Sequence, residues 1–203
     1  MNAIDQLVGI ASAPIFPRPS RLTGLPSSLS QLLAAKNGFF AFENALLVLP
    51  SAGNKAIPGI PEWNQSTSWR RHYPKLSSEI LFLALDAFSC QFGIDTAGKV
   101  YRLDSETAEL QDHTPDLSAW AEKILAADLE TGWSVAKEWQ EHWGPLEPGE
   151  RLLGKKPFIL GGDYVLENLV AVPCRPAMEK LGGLASQIAD VEDGTTVTVK
   201  GWL

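Results

Sequence analysis

Apolar positions first fall into a steady period after a proline-rich lead-in, Pro14, Pro17 and Pro19, whose fixed φ and missing N–H groups exclude a helix interior. In LPSSLSQLLAAKNG, Leu25, Leu29, Leu32 and Leu33 share one helical face. Ser27 or Ser28 can cap the start, and Asn37-Gly38 can end the helix in the left-handed conformation. Short apolar runs at 39–42 and 45–49 flank Glu43-Asn44 and predict a hairpin that Pro50 closes. Residues 51–75 mix Gly, Pro, Ser, Asn and Trp with no period, which predicts a long irregular segment.

Three strand-like runs follow, at 80–85, 90–94 and 99–103. Their turns are rich in Asp, Ser and Gly, and a spacing of about ten residues predicts an antiparallel meander. Thr114-Pro115-Asp116 opens a helix, with a capping hydroxyl, proline at the first position and an acid at the positive end of the dipole. Leu117, Trp120, Ala121, Ile124 and Leu125 carry its stripe. Gly132 is placed to break it, and a second amphipathic stretch with Ala136, Trp139 and Trp143 runs to Gly144-Pro145. The last third predicts apolar strands in PFILGGDYVLENLVAVP, a helix at 176–189 and a strand at 195–200.

This order predicts an α+β fold, with a mostly antiparallel sheet and helices packed on one side. The regular β–α alternation of a doubly wound fold is missing. One domain is expected over 1–203. Residues 1–24 form an N-terminal extension. Residues from about 150 to 203 form a C-terminal extension joined to the same sheet, because the apolar runs at 158–160 and 168–172 need a sheet to join.

A chain of 203 residues with 45% hydrophobic content buries a core without needing metals or disulfides. No apolar run approaches the ~18 residues of a membrane span. Residues 1–13 have no basic residue ahead of their apolar stretch, so a signal peptide is not expected and the cytoplasm is the default compartment. Cys90 and Cys174 read as two buried thiols. The net charge of −7 is unevenly spread: +4 over 1–75, −11 over 76–150 and 0 over 151–203. An acidic balance disfavours nucleic acid and attracts a basic partner.

The chemistry-bearing residues do not assemble into a named mechanism. His72, His113 and His142 lie far apart, and zinc spacings and the metalloprotease pair are absent. Gly161-Gly162 lacks the third glycine and the helix start of a dinucleotide loop and reads as a tight turn. No serine sits in a nucleophile elbow. Neither a cofactor nor a metal is expected.

Three stretches, taken in order, resemble the SUKH superfamily, which includes a yeast regulator of cell-wall synthesis and many bacterial toxin-immunity proteins. LPSSLSQLLAAKNGFFAFENALLVLP is similar to its opening helix and hairpin. EILFLALDAFSCQFGIDTAGKVYRLDSETAEL is similar to its central meander, and LSAWAEKILAADLETGW to the helix that follows. The likeness spans about residues 25–133, and the part running through KPFILGGDYVLENLVAVP looks like a C-terminal extension found in some bacterial members. The resemblance implies an immunity or regulatory protein that binds a cognate toxin domain or another protein partner without catalysis. It also implies that Gly38, Gly93, Trp120 and Gly162 are fold positions.

The partner surface expected from the acidic middle segment is Asp86, Asp95, Asp104, Glu106 and Glu109. Trp63 and Trp69 in the irregular segment either join that surface or pin the segment to the core. Two other readings remain beside immunity. One is a regulatory scaffold without a toxin partner. The other is an enzyme built on the 62–75 loop, with His72 beside Arg70 or Arg71, which would need a deep pocket and a buried carboxylate at His72.

Overall fold

Three turns of the meander are built the same way. Asp86, Asp95 and Asp104 stand nine residues apart, each just after a strand. Oδ1 of Asp86 accepts from the N–H groups of Phe88 and Cys90 at 2.9 and 2.8 Å. Oδ1 of Asp95 accepts from Ala97 and Lys99 at 2.9 and 3.0 Å, and Oδ1 of Asp104 from Glu106 and Thr107 at 2.9 and 3.1 Å. An aspartate closes its own turn in this manner because its short side chain reaches the backbone two to four residues on. The strands so joined are β3 (Leu81–Leu85), β4 (Gln91–Ile94), β5 (Val100–Leu103) and β6 (Leu110–Thr114). With the hairpin β1 (Phe39–Ala41) and β2 (Leu46–Val48) they form an antiparallel sheet in sequence order. The computed structural model describes residues 2–192, 194–195 and 197–203.

The fold is α+β, as expected. Its helices are α1 (Ala3–Ile10), α2 (Ser27–Ala35), α3 (Ile60–Trp63), α4 (Leu117–Ala126), α5 (Trp133–Trp143) and α6 (Cys174–Ile188). Successive residues of a strand point to opposite faces. In β4, Phe92 meets Trp120 of α4 at 5.7 Å between ring centroids, while its neighbour Gln91 meets Trp63 of α3 and Met178 of α6. Helical segments therefore cover both faces of the sheet, not the one face anticipated, and this is why every residue of β4 is buried.

The N-terminal stretch is packed. Asn2 caps α1 by accepting from Asp5 N at 2.8 Å, and α1 lies against α4 with Leu7 fully buried. Lys36, at the end of α2, donates to the carbonyls of Val8, Ala11 and Ser12 at 2.6, 3.2 and 2.8 Å, which closes the C-terminus of α1. Asn37 donates to Arg18 O and accepts from Ser51 N. Beside it, Gly38 has φ +68°, and a Cβ there would lie 2.7–2.9 Å from Pro50, so neither the conformation nor the space admits a side chain.

The hairpin turn departs from the usual glycine solution. Phe42, Glu43 and Asn44 all have positive φ, at +53°, +52° and +72°. Such a run costs about 1–2 kcal/mol per residue and must be held from outside. Gln140 of α5 donates to Glu43 O at 2.7 Å, Arg151 donates to Asn44 O at 3.1 Å, and Trp133 packs on Phe42 at 5.9 Å.

At α4 the cap is Asp116, which accepts from Ala119 N at 2.8 Å; Thr114 still belongs to β6, so the helix begins later than Thr114 and Pro115 suggest. The C-terminal third corrects a second expectation. Its strands do not extend the main sheet. β7 (Glu150–Gly154) and β8 (Leu169–Pro173) pair with each other, over a small core of Ala45, Ala87, Ala136, Leu146, Leu152 and Leu169. A backbone bond from Leu152 N to Ala87 O, 2.8 Å, ties this ribbon to the turn after β3. The expected strand at 195–200 is not one: its described residues carry no strand pairing, and Thr196 lies outside them.

Candidate functional site

The acids and tryptophans named as a partner surface do not form one. Asp86 is 2% exposed and, besides closing its turn, lies 3.4 Å from Arg102. Burial pushes its carboxyl up to about 6, and the Arg102 guanidinium works against that rise. Trp63 and Trp69 are buried in the core, 5.7 Å apart, with Trp69 edge-on to Phe82 and Tyr73. They pin the irregular segment to the sheet. Asp95 is half-buried and accepts from Tyr101 Oη. Partial desolvation raises its carboxyl, but the backbone N–H donors of its turn and the Tyr101 hydroxyl outweigh that and hold it low. Glu109 is exposed in the β5–β6 turn.

Asp104 and Glu106 are brought together, and with residues that sequence reasoning did not connect to them. Glu106, 8% exposed, points across to the short 3-10 helix at Phe158–Leu160, where its two oxygens accept from Phe158 N at 3.1 Å and Ile159 N at 2.6 Å. The free N–H groups at a helix start need acceptors, and a distant carboxylate supplies them here. This contact seats the 157–165 loop over the turns that follow β3 and β5. Those turns are themselves joined, since Ser105 Oγ donates to Ser89 O and Tyr73 Oη donates to Ser105 O, each at 2.7 Å.

Between loop and turns lies a cleft of about 70 Å³, lined by Phe88, Cys90, Asp104, Ser105, Glu106, Phe158, Ile159 and Tyr164. Phe158 and Tyr164 stack at 3.9 Å and 8°, and Phe88 stands edge-on to both, at 5.5 and 4.9 Å. Tyr164 and Ile159 form an exposed apolar rim, with Tyr164 54% exposed. Among the described residues no Lys, Arg or His lies within ion-pair distance of Asp104 or Glu106. The cleft is consequently negative. Burial and then Asp104 push Glu106 up, once the two backbone N–H donors have been allowed for. Burial and the neighbouring Cys90 and Glu106 push the Tyr164 phenol up to about 12. The Cys90 thiol is raised well above its ordinary range by burial and by Asp86, which keeps it protonated and a poor nucleophile. Such a site can hold a positive group.

The 62–75 segment places its basic residues differently. Arg70 is buried and donates to the carbonyls of Ile80 and Ser77 at 3.1 and 2.6 Å, beneath the ring of Phe82 at 5.3 Å. His72 Nε2 lies 2.8 Å from Glu179 Oε2 of α6, which Arg71 also reaches at 2.5 Å. His72 borders a groove of about 400 Å³ with Tyr73, Leu76, Leu110 and Ala185. The carboxylate at His72 is half-buried, not buried, and Arg71 already balances its charge. A third histidine, His113, lies against Phe92 with Glu130 at 3.3 Å and Lys123 on the same carboxylate at 3.2 Å; burial lowers its pKa.

Cys90 and Cys174 are free thiols. Among the described residues no group of three or more His, Cys, Asp or Glu side chains is placed to hold a metal ion. No helix among them is long and apolar enough to cross a membrane.

Neither a protein-family model nor a curated protein matches the chain. Among solved structures, it is similar to the crystal structure of Atu4351 from Agrobacterium tumefaciens, with a TM-score of 0.62 at 13% identity over 86% of each chain. At that identity the likeness shows the fold alone.

Proposed function

We propose that this protein acts by binding another protein, and that it is an immunity protein that neutralises a cognate toxin domain in the cytoplasm without chemistry of its own. The observation that carries the binding role is the cleft: two carboxylates that, among the described residues, have no cation within ion-pair distance, behind an exposed aromatic rim, on a seat held by hydrogen bonds from three segments. The resemblance of residues 25–133 to the SUKH superfamily supplies the partner class. The net charge of −7 favours a basic protein partner over nucleic acid or an anionic membrane surface. A catalytic reading centred on His72 is weaker, because Glu179 is half-buried and shared with Arg71.

Co-expression with the toxin encoded beside its gene tests this reading. The expected result is restored growth and a stoichiometric complex on size exclusion. A toxin that stays lethal and runs apart from an equimolar amount of this protein overturns it, and partner capture without any protection supports the regulatory scaffold instead.

A further inference from the structure

We infer that the cleft between the Asp104–Glu106 turn and the 157–165 loop receives an arginine side chain of the partner protein. This deepens the protein-binding reading and rests on it. Three features of the cleft point to that occupant.

Size comes first. About 70 Å³ is far below the ~300–1,000 Å³ of pockets that take whole small molecules, and it suits the head of one side chain. Charge comes second. Glu106 is 8% exposed and Asp104 half-buried, and each accepts from backbone N–H groups, yet neither meets a cation among the described residues. The nearest guanidinium along the chain, Arg102, lies 3.4 Å from Asp86 and acts on Asp104 only from beyond ion-pair distance, so it leaves the cleft side of the pair open. A desolvated carboxylate with no opposite charge close by is costly even when backbone N–H groups bond it, and a cation arriving in the cleft relieves it. Shape comes third. Phe88, Phe158 and Tyr164 wall the cleft with rings, and a planar guanidinium stacks on rings while donating from its edge to carboxylates. An ammonium is a point charge that is more strongly hydrated and gains less from such walls. The exposed rim of Ile159 and Tyr164 would pack on the partner surface beside the arginine, as an apolar edge that excludes water from a central anchor.

The test needs no partner. Ethylguanidinium is titrated into the full chain while the ring carbons of Phe88, Phe158 and Tyr164 are followed by NMR, with neutral ethylurea and with butylammonium as comparisons. Saturable shifts of these rings are expected with ethylguanidinium. Binding of ethylurea should be at least about tenfold weaker, the effect of losing one charge-assisted contact. Asp104→Asn keeps the oxygen that closes the turn, and it should weaken ethylguanidinium by a similar factor with unchanged circular dichroism. Glu106→Gln should do so as well where the 158–160 helix stays seated; if that variant unfolds, Asp104→Asn decides alone. Equal shifts with ethylurea, non-saturating shifts, or undiminished binding by Asp104→Asn overturn the inference. Tighter binding of butylammonium overturns the arginine assignment. None of these outcomes depends on the toxin assay, so the cleft can fail while the immunity role stands, and the reverse.

Discussion

Nε1 of Trp63 donates a 2.6 Å hydrogen bond to Oε1 of Gln91, joining the irregular 51–75 segment to the centre of the sheet. Both residues are buried, and the Gln91 amide nitrogen faces the sulfur of Met178 at 3.6 Å. Gln91→Leu would therefore leave an indole N–H buried with no acceptor, at a cost of about 1–3 kcal/mol. Urea unfolding should show a lower midpoint with an unchanged slope. Trp63→Phe in the Gln91→Leu background should recover part of the loss, because it removes the stranded donor. A double variant no better than Gln91→Leu would count against this pairing.

Asp86 predicts a dependence of stability on pH. Its folded carboxyl titrates at about 6 against an ordinary 3.8, raised mainly by burial. Between these values the native state keeps a proton that the unfolded chain has released, so stability falls as pH rises across the window. The full difference corresponds to about 3 kcal/mol above pH 6. Asp86→Asn retains an acceptor for Phe88 N and Cys90 N and lacks the titration. Unfolding free energies measured from about pH 4 to 7 should move in favour of the variant as pH rises. Taking the difference between the two proteins cancels His113, whose lowered pKa makes stability rise with pH instead. A pH-independent difference would show that Asp86 titrates normally.

Gly38 and Gly98 separate two costs. Both have positive φ, +68° and +94°, but a Cβ at Gly38 meets the backbone of Pro50 and one at Gly98 meets nothing within 4 Å. Gly98→Ala should cost about 1–2 kcal/mol, the penalty of the left-handed conformation. Gly38→Ala should cost clearly more, read as a larger drop in melting temperature. Equal drops would mean that the hairpin end can shift away from Pro50 freely.

The meander was legible because its signals are local: an apolar run, an aspartate that closes its own turn, then another run. β6 was not, since LQDHT holds one large apolar residue, none of its residues is fully buried, and it lies at the sheet edge. α1 lacked a visible stop, because its C-terminus is closed by Lys36 from another helix and not by a residue of its own. The acids 86, 95 and 104 are turn formers, and their charge alone does not mark them as a surface, because charge and turn chemistry call for the same side chain. Of the candidate site, only Asp104 and Glu106 could be named in advance. Phe88, Phe158 and Tyr164 converge because Glu106 bonds a helix start more than fifty residues away, and no spacing rule encodes that contact.

The left-handed run Phe42–Asn44 has a consequence in time. Its clamps, Gln140 and Arg151, follow their backbone acceptors Glu43 and Asn44 by 97 and 107 residues. At about 5–20 residues per second, a growing chain exposes the hairpin for roughly 5–20 s before Arg151 is even synthesised. Through that interval β1 and β2 are joined by a turn that neither clamp holds, so the first hairpin of the sheet is secured only by residues made after its sixth strand.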